Sequence, residues 1–193
     1  MITLVLGPVR AGKSARATAL ARSSRKQVLF VATAALDPDD AEMRERVARH
    51  RRDRPPSWTV VETAVEGGPS LPSLLDDADG QRLIVIDALG TWIAAQLHAW
   101  ESWAERDIAA TLDALDAEGV ALVEALQRAR ADVVVVAEET GWGLVPSTPL
   151  GRLFRDALGR LTQRVALIAE RVELVVAGYA IDLRALGTPV GEA

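Results

Sequence analysis

With 193 residues, 49% of them hydrophobic, the chain can bury one sizeable core and is expected to form a single domain over residues 1–193. A net charge of −5 argues against a general nucleic-acid binder, and the absence of cysteine excludes disulfides, thiol chemistry and zinc sites built on Cys. No apolar run approaches the ~20 residues of a membrane span, so no membrane span is expected and the cytoplasm is the expected compartment.

The first element is an apolar strand at 2–6, which runs into GPVRAGKS and then into a helix at 13–22. Gly7, Gly12, Lys13 and Ser14 fit the spacing G-x-x-x-x-G-K-[ST]. Such a loop turns backbone N–H groups inward at a helix start, where the dipole adds positive potential for an anion. Lys13 would reach the β- and γ-phosphates, and the Ser14 hydroxyl would sit on Mg²⁺.

A second strand at 27–32 ends in Thr33 and Ala34, small residues at the rim of a sheet that leave room for a nucleotide. Next comes a helix at 38–52, begun by Asp37 and Pro38 and stopped by Pro55 and Pro56. Met43, Val47 and His50 share one of its faces, while Arg44, Arg51 and Arg52 mostly point elsewhere. His50 has two readings: a satisfied core histidine, or a nucleophile or general base among cations. Arg49, Arg51, Arg52 and Arg54 would keep its imidazole neutral by like-charge repulsion and attract a triphosphate.

A short strand at 59–62 and a stretch at 67–81, read as loop plus one short helix, lead to the strand 83–86 and then Asp87. Asp87 reads either as a Walker-B carboxylate that holds Mg²⁺ or its water, or as the N-cap of the following helix. That helix, 91–104, carries Trp92, Ile93, Leu97, Trp100 and Trp103 as an apolar stripe expected to serve as core or subunit contact, with His98 structural. Another helix at 106–131 is expected to bend near Gly119, and a strand follows at 133–137. The segment EETGWGLVP after it either brings backbone close to a ligand at Gly141 and Gly143 or is only a long loop. A helix at 150–170, with Arg152, Asp156 and Arg160 expected as an ion-paired face, and a strand at 172–176 complete the series. Continuously apolar strands alternating with helices predict an α/β fold, a mostly parallel sheet covered by helices on both faces, with ligands beyond the carboxyl ends of the strands.

Seven segments together carry a resemblance: GPVRAGKS, FVATA at 30–34, DAEMRERVARHRRDRPPSW at 40–58, Glu62, VIDAL at 85–89, EETGWGLVP at 138–146 and FRDALGRLTQRVA at 154–166. The chain resembles the bifunctional adenosylcobinamide kinase and adenosylcobinamide-phosphate guanylyltransferase family of cobalamin biosynthesis, from the phosphate loop to about Gly178. The resemblance implies a P-loop NTPase fold of the RecA-like kind, use of GTP, ATP and Mg²⁺, a corrinoid substrate (adenosylcobinamide) and a homotrimer. By it, His50 is the residue that attacks the α-phosphate of GTP; the hydroxyl of the substrate's aminopropanol arm is first phosphorylated, and that phosphate then receives GMP. The positions implied to surround nucleotide are Gly7, Pro8, Val9, Arg10, Ala11, Gly12, Lys13, Ser14, Ala32, Thr33, Ala34, Arg51, Arg52, Asp53, Arg54, Glu62 and Asp87. Departures fall at Pro8, where the family commonly has a second glycine, and at Ala95, Glu138 and Thr162, where it commonly has asparagine. Two other readings stand beside this one: a P-loop kinase of another small hydroxyl substrate, indifferent to His50, and a GTP-binding sensor without full activity.

Overall fold

The computed structural model describes residues 1–35, 45, 54–65, 67–100 and 108–190. All six apolar runs form strands: β1 Ile2–Gly7, β2 Gln27–Ala32, β3 Thr59–Glu62, β4 Arg82–Asp87, β5 Asp132–Glu138 and β6 Arg171–Val176. They pair in parallel in the order β3-β2-β4-β5-β1-β6. A seventh strand, β7 Tyr179–Asp182, adds to β6 antiparallel and has no counterpart in the sequence reading. It is short and mostly exposed, and its turn places Ala177 at φ 50° beside Gly178 at φ 82°, so neither an apolar run nor an Asn-Gly turn announces it.

The helices are α1 Lys13–Ser23, α2 Leu71–Asp77, α3 Leu89–Ala99, α4 Ile108–Arg128, α5 Pro149–Ile168 and α6 Leu183–Leu186. Of the helix expected at 38–52 only Glu45, which is helical, is described; His50, Arg51, Arg52 and Asp53 lie outside the described residues.

Side chains alternate across the strands and so feed two cores. On one face Val5, Phe30, Val85, Val134 and Val136 meet Ala17 and Ala21 of α1, whose small side chains let the helix sit close to the sheet. On the other, Leu4, Ile84, Ile86 and Val135 pack against α2 to α5 through Leu75, Ile93, Leu122, Leu158 and Leu161. The tryptophan stripe resolves as core: Trp92, Ile93 and Leu97 are buried and Trp100 packs against them, while Trp103 lies outside the described residues. His98 is exposed near the end of α3.

No break separates the halves of α4 at Gly119; its missing side chain instead admits Leu161 of α5, whose Cδ1 would stand 3.4 Å from an added Cβ. The ion-paired face expected along α5 is replaced by contacts to other segments. Arg160 pairs with Asp116 of α4 at 3.2 Å, and Arg152 donates to the carbonyls of Pro146 and Ser147.

Register lines up the carboxyl ends of the strands. Ala32 sits opposite Glu62 on one side and Asp87 on the other, and Gly7 sits opposite Glu138.

Candidate functional site

The phosphate loop leaves β1 at Gly7, where a side chain is sterically impossible: an added Cβ would stand 2.2 Å from the carbonyl oxygen of Val175. Gly12, at φ 109°, then precedes α1, which has no side-chain cap and no acidic residue in its first turn. A helix start without a side-chain cap or an acidic residue leaves its amides to an anion. Exposed Arg10 takes the left-handed conformation at φ 59°, and Ala11 accepts a 3.0 Å hydrogen bond from the Gly178 N–H, so the β6–β7 turn props the loop from behind. Pro8 contributes its carbonyl, which accepts from Lys13 Nζ at 2.8 Å, and Val9 is exposed at the rim.

Lys13 is 8% exposed, so its ammonium is held beneath the loop, in reach of whatever anion the loop receives. Beside it the Ser14 hydroxyl donates to Asp87 Oδ1 at 3.2 Å, joining α1 to the end of β4. Two hard oxygen donors at this spacing suit Mg²⁺, which takes one or two protein ligands and completes its shell with water and phosphate. Asp87 therefore has the surroundings of a Walker-B carboxylate; the amide ends of α3 are served by other groups.

Those groups include Thr33 and Glu138. Thr33 is fully buried, and its Oγ1 donates to the Ala88 carbonyl at 2.6 Å and accepts from the Ala88 N–H at 2.8 Å, with the Thr91 hydroxyl 2.6 Å away. This staple fixes where β4 ends and therefore where Asp87 stands, and half-buried Ala32 and Ala34 flank it. Glu138 accepts from the Gly90 N–H at 2.9 Å. Burial pushes its pKa up, with nearby Asp87 adding to the rise and the Gly90 N–H and Lys13 opposing it. Gly90 leaves room for this carboxylate: an added Cβ would meet Glu138 Oε2 and force that side chain to shift.

Beyond β2 the Arg54 guanidinium lies 3.7 Å from the centre of the Phe30 ring, which in turn stacks on Trp58 at 6.3 Å between centroids. Arg54 is thus built into an aromatic stack at the sheet's edge. Glu62 is half-buried at the end of β3. Of the residues singled out from sequence, the structure gathers Gly7 to Ser14, Ala32, Thr33, Ala34, Asp87 and Glu62 along one edge of the sheet.

One constellation escapes the sequence reading. Buried Glu173 on β6 receives two 2.7 Å hydrogen bonds from Arg16 of α1 and a 2.7 Å ion pair from Arg171. The hydrogen bond to Glu173 raises the Arg16 pKa further. The available signal was a lone glutamate inside the apolar run RVELVV, because a charge in a strand buried on both faces must find a partner. Thr162 Oγ1 on α5 is buried without a hydrogen-bond partner among the described residues.

The family model described as cobinamide kinase / cobinamide phosphate guanyltransferase matches residues 3–183. The bifunctional adenosylcobalamin biosynthesis protein CobU of Escherichia coli K12 is 36% identical over 191 residues, covering 95% of this chain and 100% of its own. CobP of Pseudomonas aeruginosa, described in the same words, is 34% identical over 184 residues, covering 95% of this chain and 98% of its own. Among solved structures, a prototypical ATPase of a bacterial type III secretion system superposes with a TM-score of 0.59 at 10% identity, over 97% of this chain and 58% of that one. The secretion ATPase EscN, solved with its central stalk EscO, gives 0.51 at 12% identity, over 90% and 41%. The chain spans little more than half of the first ATPase and less than half of EscN, and the likeness shows a shared P-loop NTPase fold.

Proposed function

The chain belongs to the cobinamide kinase / cobinamide phosphate guanyltransferase family, and on that premise we propose that residues 1–193 form one transferase domain that phosphorylates adenosylcobinamide and then transfers GMP to the product. The observation that carries the reading is the convergence of Lys13, Ser14 and Asp87 on one phosphate loop, in a chain matched over nearly its whole length by bifunctional relatives.

For phosphoryl transfer, the loop amides and Lys13 hold the phosphates and stabilise charge that grows on the transferred group. Ser14 and Asp87 are the residues that would hold Mg²⁺, which when bound neutralises phosphate charge. The substrate hydroxyl oxygen forms a new bond to the γ-phosphorus, its proton leaves, and the nucleoside diphosphate departs.

Guanylyl transfer is assigned to His50. A neutral imidazole nitrogen attacks the α-phosphorus of GTP, the P–N bond forms and pyrophosphate leaves; a phosphate oxygen of the corrinoid then displaces the histidine. Arg51, Arg52, Asp53 and Arg54 follow it in sequence, and the arginines supply positive charge for the triphosphate. Support for these roles comes from the family match, because His50 itself is not among the described residues. We further assign the cytoplasm as compartment, a homotrimer as assembly, and ATP or GTP as kinase donor. No helix among the described residues is long and apolar enough to cross a membrane.

Incubation with Mg²⁺ and α-labelled GTP tests this reading. A phosphoramidate is acid-labile and base-stable, so label should survive alkaline denaturation and map to the peptide containing His50, whereas γ-labelled GTP should leave none by this route. Label on another residue, or none under conditions where GTP binds, would refute the guanylyltransferase half.

A further inference from the structure

The loop joining β5 to α5 exposes large apolar side chains at the carboxyl edge of the sheet: Trp142 is 62% exposed, Leu144 97% and Val145 74%. Isolated exposed apolar residues need no explanation, but three within four positions form a patch. The patch is held open by polar groups beneath it. Arg155 of α5 donates to the carbonyls of Gly141, of Leu144 at 3.2 Å and of Gly143 at 3.4 Å. Arg152 donates to Pro146 and Ser147, and the Glu139 carboxylate accepts from the Gly141 N–H at 2.7 Å. Pro146 lies against α5 at Gly151, where an added Cβ would be 2.8 Å from the proline ring. Two guanidinium groups thus satisfy the loop's backbone while its apolar side chains stay in water, the reverse of what a loop folded only for its own stability would do.

Position supplies the occupant. The loop starts at Glu138, the residue paired with Gly7, and the Glu139 N–H donates to the Gly7 carbonyl at 2.8 Å, so the patch borders the phosphate loop. We propose that Trp142, Leu144 and Val145 form the platform on which the corrin macrocycle of the cobinamide rests while its hydroxyl arm enters the phosphate site. The inference rests on the cobinamide-kinase reading above and adds to it the surface that receives the ring. A corrin is a broad, largely hydrocarbon disc edged with amides. The indole face and two aliphatic side chains match the disc, and the indole N–H matches an amide carbonyl at its edge. An adenosylated corrinoid carries positive charge at cobalt, to which Glu139 is complementary in sign. Arg155 is a positioning residue that acts through the loop it holds.

Steady-state kinetics with adenosylcobinamide, alongside calorimetric titration with GTP, test the assignment on full-length Trp142→Ala, Leu144→Ser, Arg155→Ala and Arg155→Lys. The KM for the corrinoid should rise at least tenfold in the first two variants and in Arg155→Ala, and less in Arg155→Lys, with GTP affinity within twofold of wild type throughout. Retained GTP binding also certifies that each variant is folded. An unchanged corrinoid KM in Trp142→Ala and Leu144→Ser, with the wild type active, overturns the platform and leaves the enzyme assignment standing. A wild type that binds GTP yet does not turn over adenosylcobinamide overturns the underlying reading instead. Variants that dissociate in sedimentation while their KM per assembled site is unchanged identify the patch as a contact between copies of this chain, which also overturns the platform.

Discussion

Arg16 on α1 and Glu173 on β6 meet in a two-pronged ion pair, Nε and Nη2 each 2.7 Å from a different carboxylate oxygen, with Glu173 only 1% exposed. The pair ties the helix that begins in the phosphate loop to the strand whose Val175 carbonyl packs on Gly7. Removing Arg16 leaves the buried Glu173 carboxylate to Arg171 alone, whereas removing Glu173 leaves Arg16 and Arg171, whose side chains both reach solvent.

Arg16→Ala should lower stability to urea by about 2 kcal/mol, because it leaves buried Glu173 to Arg171 alone, and Glu173→Ala by less, because Arg16 and Arg171 both reach water. Losses under about half a kcal/mol in both variants would show that the pair acts only as a surface contact. GTP affinity should fall in both variants, because the helix start is less firmly placed.

Lys13→Ala should weaken GTP binding by about tenfold to a hundredfold, as expected for loss of a charge-assisted hydrogen bond of roughly 1.5–3 kcal/mol, and should leave guanosine binding nearly unchanged. Ser14→Ala and Asp87→Asn should act differently, raising the Mg²⁺ concentration needed for half-maximal rate. Calorimetry separates the two effects: a lysine variant that loses affinity for nucleoside and triphosphate alike would be misfolded at the loop rather than missing a phosphate contact.

Burial raises the Glu138 pKa in the folded protein. A carboxylate of this kind binds its proton more tightly folded than unfolded, so it destabilises the fold when ionised. The cost is absent below the usual glutamate range and complete once pH exceeds the folded-state value. Glu138→Gln keeps an oxygen for the Gly90 N–H and should raise the thermal midpoint by about 3 °C near pH 7.5, an advantage that shrinks to nothing by about pH 4. Glu138→Asn should tighten GTP binding several-fold by removing negative charge near Lys13 and Asp87. A midpoint difference that does not change with pH would assign the effect to packing alone.

Sedimentation at micromolar concentration should show a trimer. A clean monomer that retains both transfer activities would remove any role for a neighbouring copy in the site.

Most of the scaffold was legible from local sequence, because strands buried on both faces must be apolar throughout and a phosphate loop must place glycines where backbone closes on itself. The six apolar runs became six strands within a residue or two of their expected bounds, and GPVRAGKS already specified Gly7, Gly12, Lys13 and Ser14. β7 was hidden, since four residues, three of them exposed, after an Ala-Gly turn carry no periodic signal. What no local pattern contains is pairing between distant segments. That Ser14 meets Asp87 across 73 positions, that Glu138 holds Gly90 rather than solvent, that Arg160 turns to Asp116 instead of Asp156, and that Arg16 finds Glu173 across 157 positions were decided by strand order and register. The reason is physical: each of these side chains is chemically able to bond many partners, and only the packing of α1, α3, α4 and α5 on a fixed sheet selects which one lies within hydrogen-bond reach.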